Sequence, residues 1–169
     1  LHRFFTNLGR NPSKHSTDQL FDWINDVGLS IDDDGFILAH KGIRDGKSVH
    51  SGTAVVNGVT HTGQIPNPLG AVVEMPRNQV ADDPGHTCSY GLHVGSLRYA
   101  SSWGPTLITV RIDPADVVSV PVDGEKMRVS RYVVKEINET RSEFSQRVTS
   151  EDWYLDDEDD DCDCEYCGH

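Results

Sequence analysis

The stretch that decides the fold class is residues 28–43, Gly-Leu-Ser-Ile-Asp-Asp-Asp-Gly-Phe-Ile-Leu-Ala-His-Lys-Gly-Ile, because the periodicity of the chain changes there. Leu29 and Ile31 alternate with polar residues, as in a half-buried β-strand. Asp34-Gly35 is a turn signal, and residues 36–43 supply a returning apolar strand. The stretch therefore predicts a β-hairpin.

Upstream of this hairpin the apolar residues follow a helical period. They recur at i, i+3, i+4 and i+7, at Leu20, Trp23, Ile24 and Val27. Ser16 and Gln19 have the spacing of a capping box, and Gly28 stands where a left-handed cap would end a helix. We expect an amphipathic helix over residues 17–27, preceded by a short helix over residues 1–8.

Downstream of the hairpin, residues 44–68 are rich in Gly, Ser, Thr, Asn and His, which predicts a long loop with a short strand at residues 53–56. Ser96 can cap a two-turn helix that ends near Trp103. Further strands are expected over residues 71–75, 92–94, 107–112, 117–120 and 128–137. Strands outnumber helices without regular alternation, so we predict an α+β fold with N-terminal helices packed on a largely antiparallel sheet.

The negative charge of the chain is concentrated at its C-terminus. The 169 residues have a formal net charge of -12, but residues 151–169 contain ten of the 27 acids and no Lys or Arg. Residues 1–150 hold the other 17 acids and all 15 bases, so we expect a nearly neutral compact domain over residues 1–150 and an acidic tail over residues 151–169. A neutral domain with an acidic tail disfavours nucleic-acid binding. No apolar run is long enough to span a membrane.

Three of the four cysteines lie in the acidic tail, beside the terminal histidine: Cys162, Cys164, Cys167 and His169. Three thiolates and an imidazole are a ligand set for Zn²⁺, in one chain or as a half-site completed by Cys88 or by another chain. The alternative is a flexible tail whose cysteines stay reduced. The lone cysteine of the domain favours a reducing compartment such as the cytoplasm.

Residues 77–93 contain the densest set of reactive side chains: Arg77, Asn78, His86, Cys88, Tyr90 and His93. Cys88 with nearby histidines could form a thiolate nucleophile. A single cysteine in a domain is more often a small buried apolar residue. The role of this segment is therefore left open by the sequence.

Several strings resemble the bacteriophage rIIB family. They are Glu-Met-Pro-Arg-Asn-Gln-Val at residues 74–80, Thr-Cys-Ser-Tyr-Gly-Leu-His-Val at residues 87–94, and Asp-Val-Val-Ser-Val-Pro at residues 116–121. With the hairpin, the resemblance covers residues 19–137.

This resemblance implies a phage accessory protein in the cytoplasm of the infected host, at most peripheral to its inner membrane. It would work with a larger rIIA-type partner or against a host defence component. Its roles would be lysis timing and protection from host exclusion or defence systems. The family supplies no established catalytic residues, and the Cys-containing tail lies outside its pattern.

The order of four polar residues is also similar to the ADP-ribosyltransferase fold: His40, His93, Ser96 and Glu136. In that resemblance, His40 would hold the nicotinamide ribose of NAD or a related nucleotide, and Ser96 would support it. Glu136 would stabilise the cationic transition state. The Ser-Thr-Ser motif of those enzymes is absent. Two hypotheses follow, a partner-binding accessory protein and an enzyme or degenerate nucleotide-binding domain.

Overall fold

The computed structural model describes residues 1–86, 88–121 and 124–140. The described residues form three α-helices, which are α1 (His2–Leu8), α2 (Lys14–Asp26) and α3 (Leu97–Trp103). They also form ten β-strands, which are β1 (Ser30–Ile31), β2 (Ile37–Arg44), β3 (Lys47–Val56), β4 (Val59–Pro66), β5 (Val72–Glu74), β6 (Leu92–Gly95), β7 (Thr106–Ile112), β8 (Val117–Ser119), β9 (Lys126–Val129) and β10 (Arg131–Thr140). Short 3₁₀ turns lie at Arg77–Gln79 and Pro114–Asp116.

The ten strands form one sheet in the order β4-β3-β5-β10-β7-β2-β6-β9-β8, with β1 paired to β2. An additional β2–β3 pairing closes β2, β3, β5, β10 and β7 into a ring. Each pairing among the described strands is antiparallel. The prediction of an α+β fold with a largely antiparallel sheet is therefore confirmed.

Helix α2 buries the predicted apolar stripe, but it begins earlier than expected. Its N-cap is Ser13, whose hydroxyl accepts a hydrogen bond from the Ser16 amide. The expected capping box is therefore wrong, because the Ser16 hydroxyl instead donates to the Val118 carbonyl oxygen at 2.6 Å. Helix α2 is thereby tied to the end of the sheet. Gly28, at φ +70°, supplies the left-handed residue predicted after the helix.

The loop expected over residues 44–68 is wrong, because these residues form the long hairpin of β3 and β4. Both connections place two successive residues in the left-handed region, Asp45-Gly46 between β2 and β3 and Asn57-Gly58 between β3 and β4. This is the geometry of tight hairpin turns, which favours Asx-Gly. The polar composition arises because most side chains of β4 remain exposed or half-buried.

The remaining predicted strands are confirmed, except that one of them is divided into two. The single strand expected over residues 128–137 is two strands separated at Ser130, because β9 pairs with β6 and β8 whereas β10 pairs with β5 and β7. The predicted helix after Ser96 is α3, and the Ser96 hydroxyl caps it by accepting from the Tyr99 amide at 3.1 Å. The expected boundary between domain and tail, near residue 150, lies outside the described residues.

Two glycines allow helix α3 to lie directly against β2. A Cβ on Gly42 would stand 2.2 Å from the Ala100 carbonyl oxygen, and one on Gly104 would stand 2.5 Å from the Ile43 carbonyl oxygen. These neighbours are backbone atoms, which cannot rotate away. The contact fixes α3 beside the part of β2 that carries His40 and Lys41.

Substitution of Gly42 by alanine should destabilise the domain. The added methyl group would overlap backbone atoms of α3, and such overpacking typically lowers the free energy of unfolding by about 1–3 kcal/mol. Gly9→Ala is the matched control, because Gly9 has a right-handed φ of -61° and its nearest atoms would lie 3.4 Å from the new Cβ. Urea denaturation of both variants measures the difference. Equal stabilities would contradict the close contact of α3 with β2.

Candidate functional site

A row of polar residues crosses the middle of the sheet. The strand register places His40 of β2 opposite Thr109 of β7, and Thr109 opposite Glu136 of β10. Directly paired residues project to the same face of a sheet, so these three side chains are neighbours. The Nδ1 atom of His40 lies 3.5 Å from the Thr109 hydroxyl, which also accepts a hydrogen bond from the Asn138 amide at 2.6 Å.

This row brings together two of the four residues selected from the sequence, His40 and Glu136. Burial lowers the pKa of His40, and the Glu136 carboxylate opposes part of that shift. A neutral imidazole beside a hydroxyl and a carboxylate can accept or donate hydrogen bonds to a polyhydroxylated ligand. The strand register thus places these two residues on one face of the sheet, with the strand of Thr109 between them.

The other two residues lie around β6. His93 is 3% exposed within β6, where it pairs with Arg128 of β9. Ser96 follows β6, and its hydroxyl is occupied by the cap of α3. Strand β6 lies beside the polar row, because Gly95 of β6 is opposite His40 of β2.

A cleft beside α3 gathers side chains from five elements. The empty space between its lining atoms is about 410 Å³ when the adjoining open solvent is included. Six lining side chains carry its chemistry: Lys41, His50, His93, Tyr99, Trp103 and Lys126. Of the four residues selected from the sequence, His93 lines this cleft. His40, Ser96 and Glu136 are not among the described lining residues.

Lys41 is the most unusual of the lining residues, because its side chain belongs to a strand of the sheet and is 6% exposed. Its ammonium group donates to the His93 carbonyl oxygen at 3.0 Å. Burial lowers the pKa of Lys41 to about 7. Burial also lowers the pKa of His50, and the charge of Lys41 lowers it further. Lys41 stands two residues after the apolar run of residues 36–39, and a lysine at this point of a predicted strand is the sequence signal that could have identified it.

Two arginines determine the shape of the segment over residues 77–93. Arg128 is 0% exposed, and its guanidinium donates to the carbonyl oxygens of Ala81, Asp83 and His86 at 2.5–2.8 Å. Such multiple bonds from a planar donor hold a loop in one shape. Arg77 instead contacts the 3₁₀ turn at Pro114–Asp116, where it donates to the Ala115 carbonyl oxygen at 2.8 Å.

The other side chains selected in this segment lie near the surface. Asn78 and His86 are exposed, and Tyr90 is 47% exposed. The Nδ1 atom of His86 lies 3.5 Å from an Asp83 carboxylate oxygen. Cys88 is half-buried and its sulfur is engaged in a disulfide, so it is not an available thiolate.

The zinc ligands expected from the sequence, Cys162, Cys164, Cys167 and His169, lie outside the described residues. Within residues 1–86, 88–121 and 124–140, no group of three or more His, Cys, Asp or Glu side chains is arranged to hold a metal ion. No helix in that same part of the chain has the length and apolarity needed to cross a membrane. Zinc binding by the tail stays a prediction.

These features define an α+β domain with a polar row on its sheet and a cleft beside α3. A family model described as "Bacteriophage T4 protein rIIB" matches residues 1–143, so the chain belongs to the rIIB family. The resemblance expected over residues 19–137 is confirmed and extends to the N-terminus.

Among characterised relatives, protein rIIB of Enterobacteria phage T4 is 37% identical over 143 residues, which cover 80% of this chain and 42% of that protein. The chain thus matches less than half the length of that relative. No solved structure matches the chain.

The buried Lys41 should make the stability of the protein depend on pH. The unfolded chain keeps the Lys41 proton up to its ordinary pKa of 10.5, whereas the folded protein releases it near 7. Between these values the unfolded state binds more protons, so the free energy of unfolding should rise with pH, by up to about 1.4 kcal/mol per pH unit.

Lys41→Met should remove this rise while keeping the side-chain volume. Urea denaturation of both proteins at several pH values from 6 to 10 provides the measurement. Parallel stability profiles for the two proteins would show that Lys41 does not titrate in this range.

Proposed function

We propose that the chain is a phage accessory protein that acts through a protein partner, in lysis timing and in protection from host exclusion or defence systems. The partner would be a larger rIIA-type protein or a host defence component, at the inner face of the host membrane. The observation that carries this proposal is the 37% identity to protein rIIB of phage T4 over 143 residues.

The segment over residues 77–93 is the surface that best suits such a partner. Arg128 donates to the carbonyl oxygens of Ala81, Asp83 and His86, and the Ala81 amide donates to the Tyr90 carbonyl oxygen, so these residues lose little conformational entropy when a partner binds. The fixed backbone presents Asn78, His86 and Tyr90 at the surface. Exposed aromatic side chains on rigid loops are frequent anchors of protein interfaces.

Tyr90→Ala should weaken capture of the partner from infected cells. Loss of an aromatic anchor typically lowers affinity roughly tenfold or more. Leu69→Ala is the matched control, because Leu69 is also an exposed apolar residue, at 64%, but lies outside the segment. The measurement is quantitative mass spectrometry of proteins recovered with the tagged full-length chain during infection. Recovery of neither an rIIA-type protein nor a host protein by the unmodified chain would refute the proposal.

A second candidate is an ADP-ribosyltransferase-like enzyme, or a degenerate form that binds NAD or a related nucleotide without turnover. It is favoured by one observation, the adjacent placement of His40, Thr109 and Glu136 on three neighbouring strands. Against it, the Ser96 hydroxyl already caps α3, and His93 lies in the separate lining of the cleft.

The enzyme candidate predicts turnover of NAD that depends on Glu136. Glu136→Gln should lower the rate of nicotinamide release by about 10²–10³-fold, because the carboxylate would no longer stabilise the cationic transition state. Glu74→Gln provides a carboxylate control on the neighbouring strand β5. Nicotinamide release by the full chain, followed by chromatography, is the measurement. Absence of release by the unmodified protein would exclude a transferase, and equal rates for both variants would exclude this role of Glu136.

A further inference from the structure

The two ends of the sheet differ in how they are covered. At the β8 end, the Val117 carbonyl oxygen accepts from the Asn11 side-chain amide at 2.7 Å, and that of Val118 accepts from the Ser16 hydroxyl at 2.6 Å. At the β4 end, β3 is the one strand that pairs with β4 in the part of the chain that the structure describes. The other side of β4 therefore carries no further strand.

The backbone groups on that side of β4 belong to Thr60 and Thr62. Val56 and Val59 flank a two-residue turn and pair with each other. Such a closing pair exchanges both of its backbone hydrogen bonds, and the bonded direction then alternates along the strand. The amide and carbonyl groups of Val59 and His61 therefore face β3, whereas those of Thr60 and Thr62 face away from it.

Beyond Thr62 this edge is blunted. Gly63 has a φ of +104°, and Pro66 has no amide hydrogen. Irregular backbone, proline and charged side chains are common means of protecting a sheet edge from further pairing. Residues 59–62 have none of these, because β4 contains no Lys, Arg, Asp or Glu. We call residues 59–62 the open edge.

We propose that the open edge binds the open edge of a second copy of this chain, in antiparallel pairing about a two-fold axis at His61. Thr60 of each copy would lie opposite Thr62 of the other. Each of these pairs shares two backbone hydrogen bonds, so every outward amide and carbonyl group of the open edge would gain a partner. The sheets of the two copies would then be continuous across the interface.

The side chains of this strand suit a second copy. In the proposed pairing Val59 of one copy is opposite Gly63 of the other, and paired residues project to the same face. Val59 is 59% exposed, and nothing lies within 4 Å of the position that a Cβ on Gly63 would occupy. The valine of one copy can therefore cover the open space at the glycine of the other. No like charges face each other, because β4 carries no acidic side chain, lysine or arginine.

This interface is independent of the partner surface proposed above, because the open edge lies outside residues 77–93. A few backbone hydrogen bonds and one apolar contact on each side place it among the small interfaces, which bury less than about 1,200 Å². The dimer should therefore be weak and should dissociate on dilution.

Sedimentation equilibrium of the full chain, up to millimolar concentration, tests the pairing. A monomer and a dimer in reversible equilibrium are expected, because a two-fold interface closes on itself. A monomer at every concentration would overturn the proposal, and so would open-ended association.

Amide hydrogen exchange tests which chain covers the edge. Exchange at Thr60 and Thr62 should slow as the protein concentration rises, because their amides become bonded only in the dimer. Slow exchange that is independent of concentration would show that a segment of the same chain covers the edge, and would overturn the proposal.

Proline variants test the outward hydrogen bonds. Thr62→Pro removes one of the two bonds of each pair and should raise the dissociation constant of the dimer at least about tenfold. Gln64→Pro is the matched control, because residue 64 lies on the same strand but beyond Gly63, and it should leave the dimer unchanged. Thermal unfolding verifies that both variants are folded. Equal dissociation constants for the two variants would overturn the proposed register.

A cysteine variant tests the two-fold axis without perturbing the backbone. Residues at a non-hydrogen-bonded pair of an antiparallel sheet have Cα atoms about 4.5 Å apart, which a disulfide can span. With oxidised glutathione, His61→Cys should form a disulfide that joins position 61 of two copies, identified by peptide mass spectrometry. Ser51→Cys, at an exposed position of β3 one strand away from the edge, is the control. Equal rates of linkage at the two positions would indicate random collision and overturn the proposal.

Discussion

The antiparallel pairing of β2 with β7 is the constraint on which the rest of the structure depends. It runs over seven residue pairs, from Ile37 opposite Ile112 to Ile43 opposite Thr106. β2 also pairs with β1, β3 and β6, so it joins both halves of the sheet and closes the ring of five strands. A shift of one residue in this register would move every side chain of β2 to the opposite face. It would separate His40 from Thr109 and remove Gly42 from its contact with α3.

The sequence predicted those helices and strands whose apolar period and turn residues lie within the element itself. Helix α2 and the β1–β2 hairpin were predictable because their apolar periods and Gly28 act within a few residues. The polar composition of residues 44–68 predicted a loop and not the β3–β4 hairpin. The hairpin forms because the Asx-Gly turns at residues 45–46 and 57–58 direct the backbone, although the strands beside them are polar. The break at Ser130 was not predictable, because it arises from the partners of β9 and β10 in the sheet and not from the apolar pattern, which is continuous.

The candidate site was predictable only in part, for a similar reason. The sheet register brings His40 and Glu136 to one row, and their role as catalytic residues stays a prediction. Lys126 could not be connected with Lys41 from the sequence, because the strand order β2-β6-β9 that brings both to one cleft is set by pairing between distant parts of the chain. The role of Arg128 was likewise not predictable, because its bonds to three carbonyl oxygens of a loop about 45 residues earlier depend on the folded arrangement.

The position of Lys41 links the stability of the fold to pH. Its side chain is 6% exposed, and its ammonium group donates a hydrogen bond to the His93 carbonyl oxygen. Removal of the charge from water nevertheless lowers the pKa of Lys41 to about 7, so the folded protein favours the neutral amine where the unfolded chain still favours the ammonium group. A lysine at this position of β2 therefore opposes folding most at low pH, where the folded protein must bury the charged form.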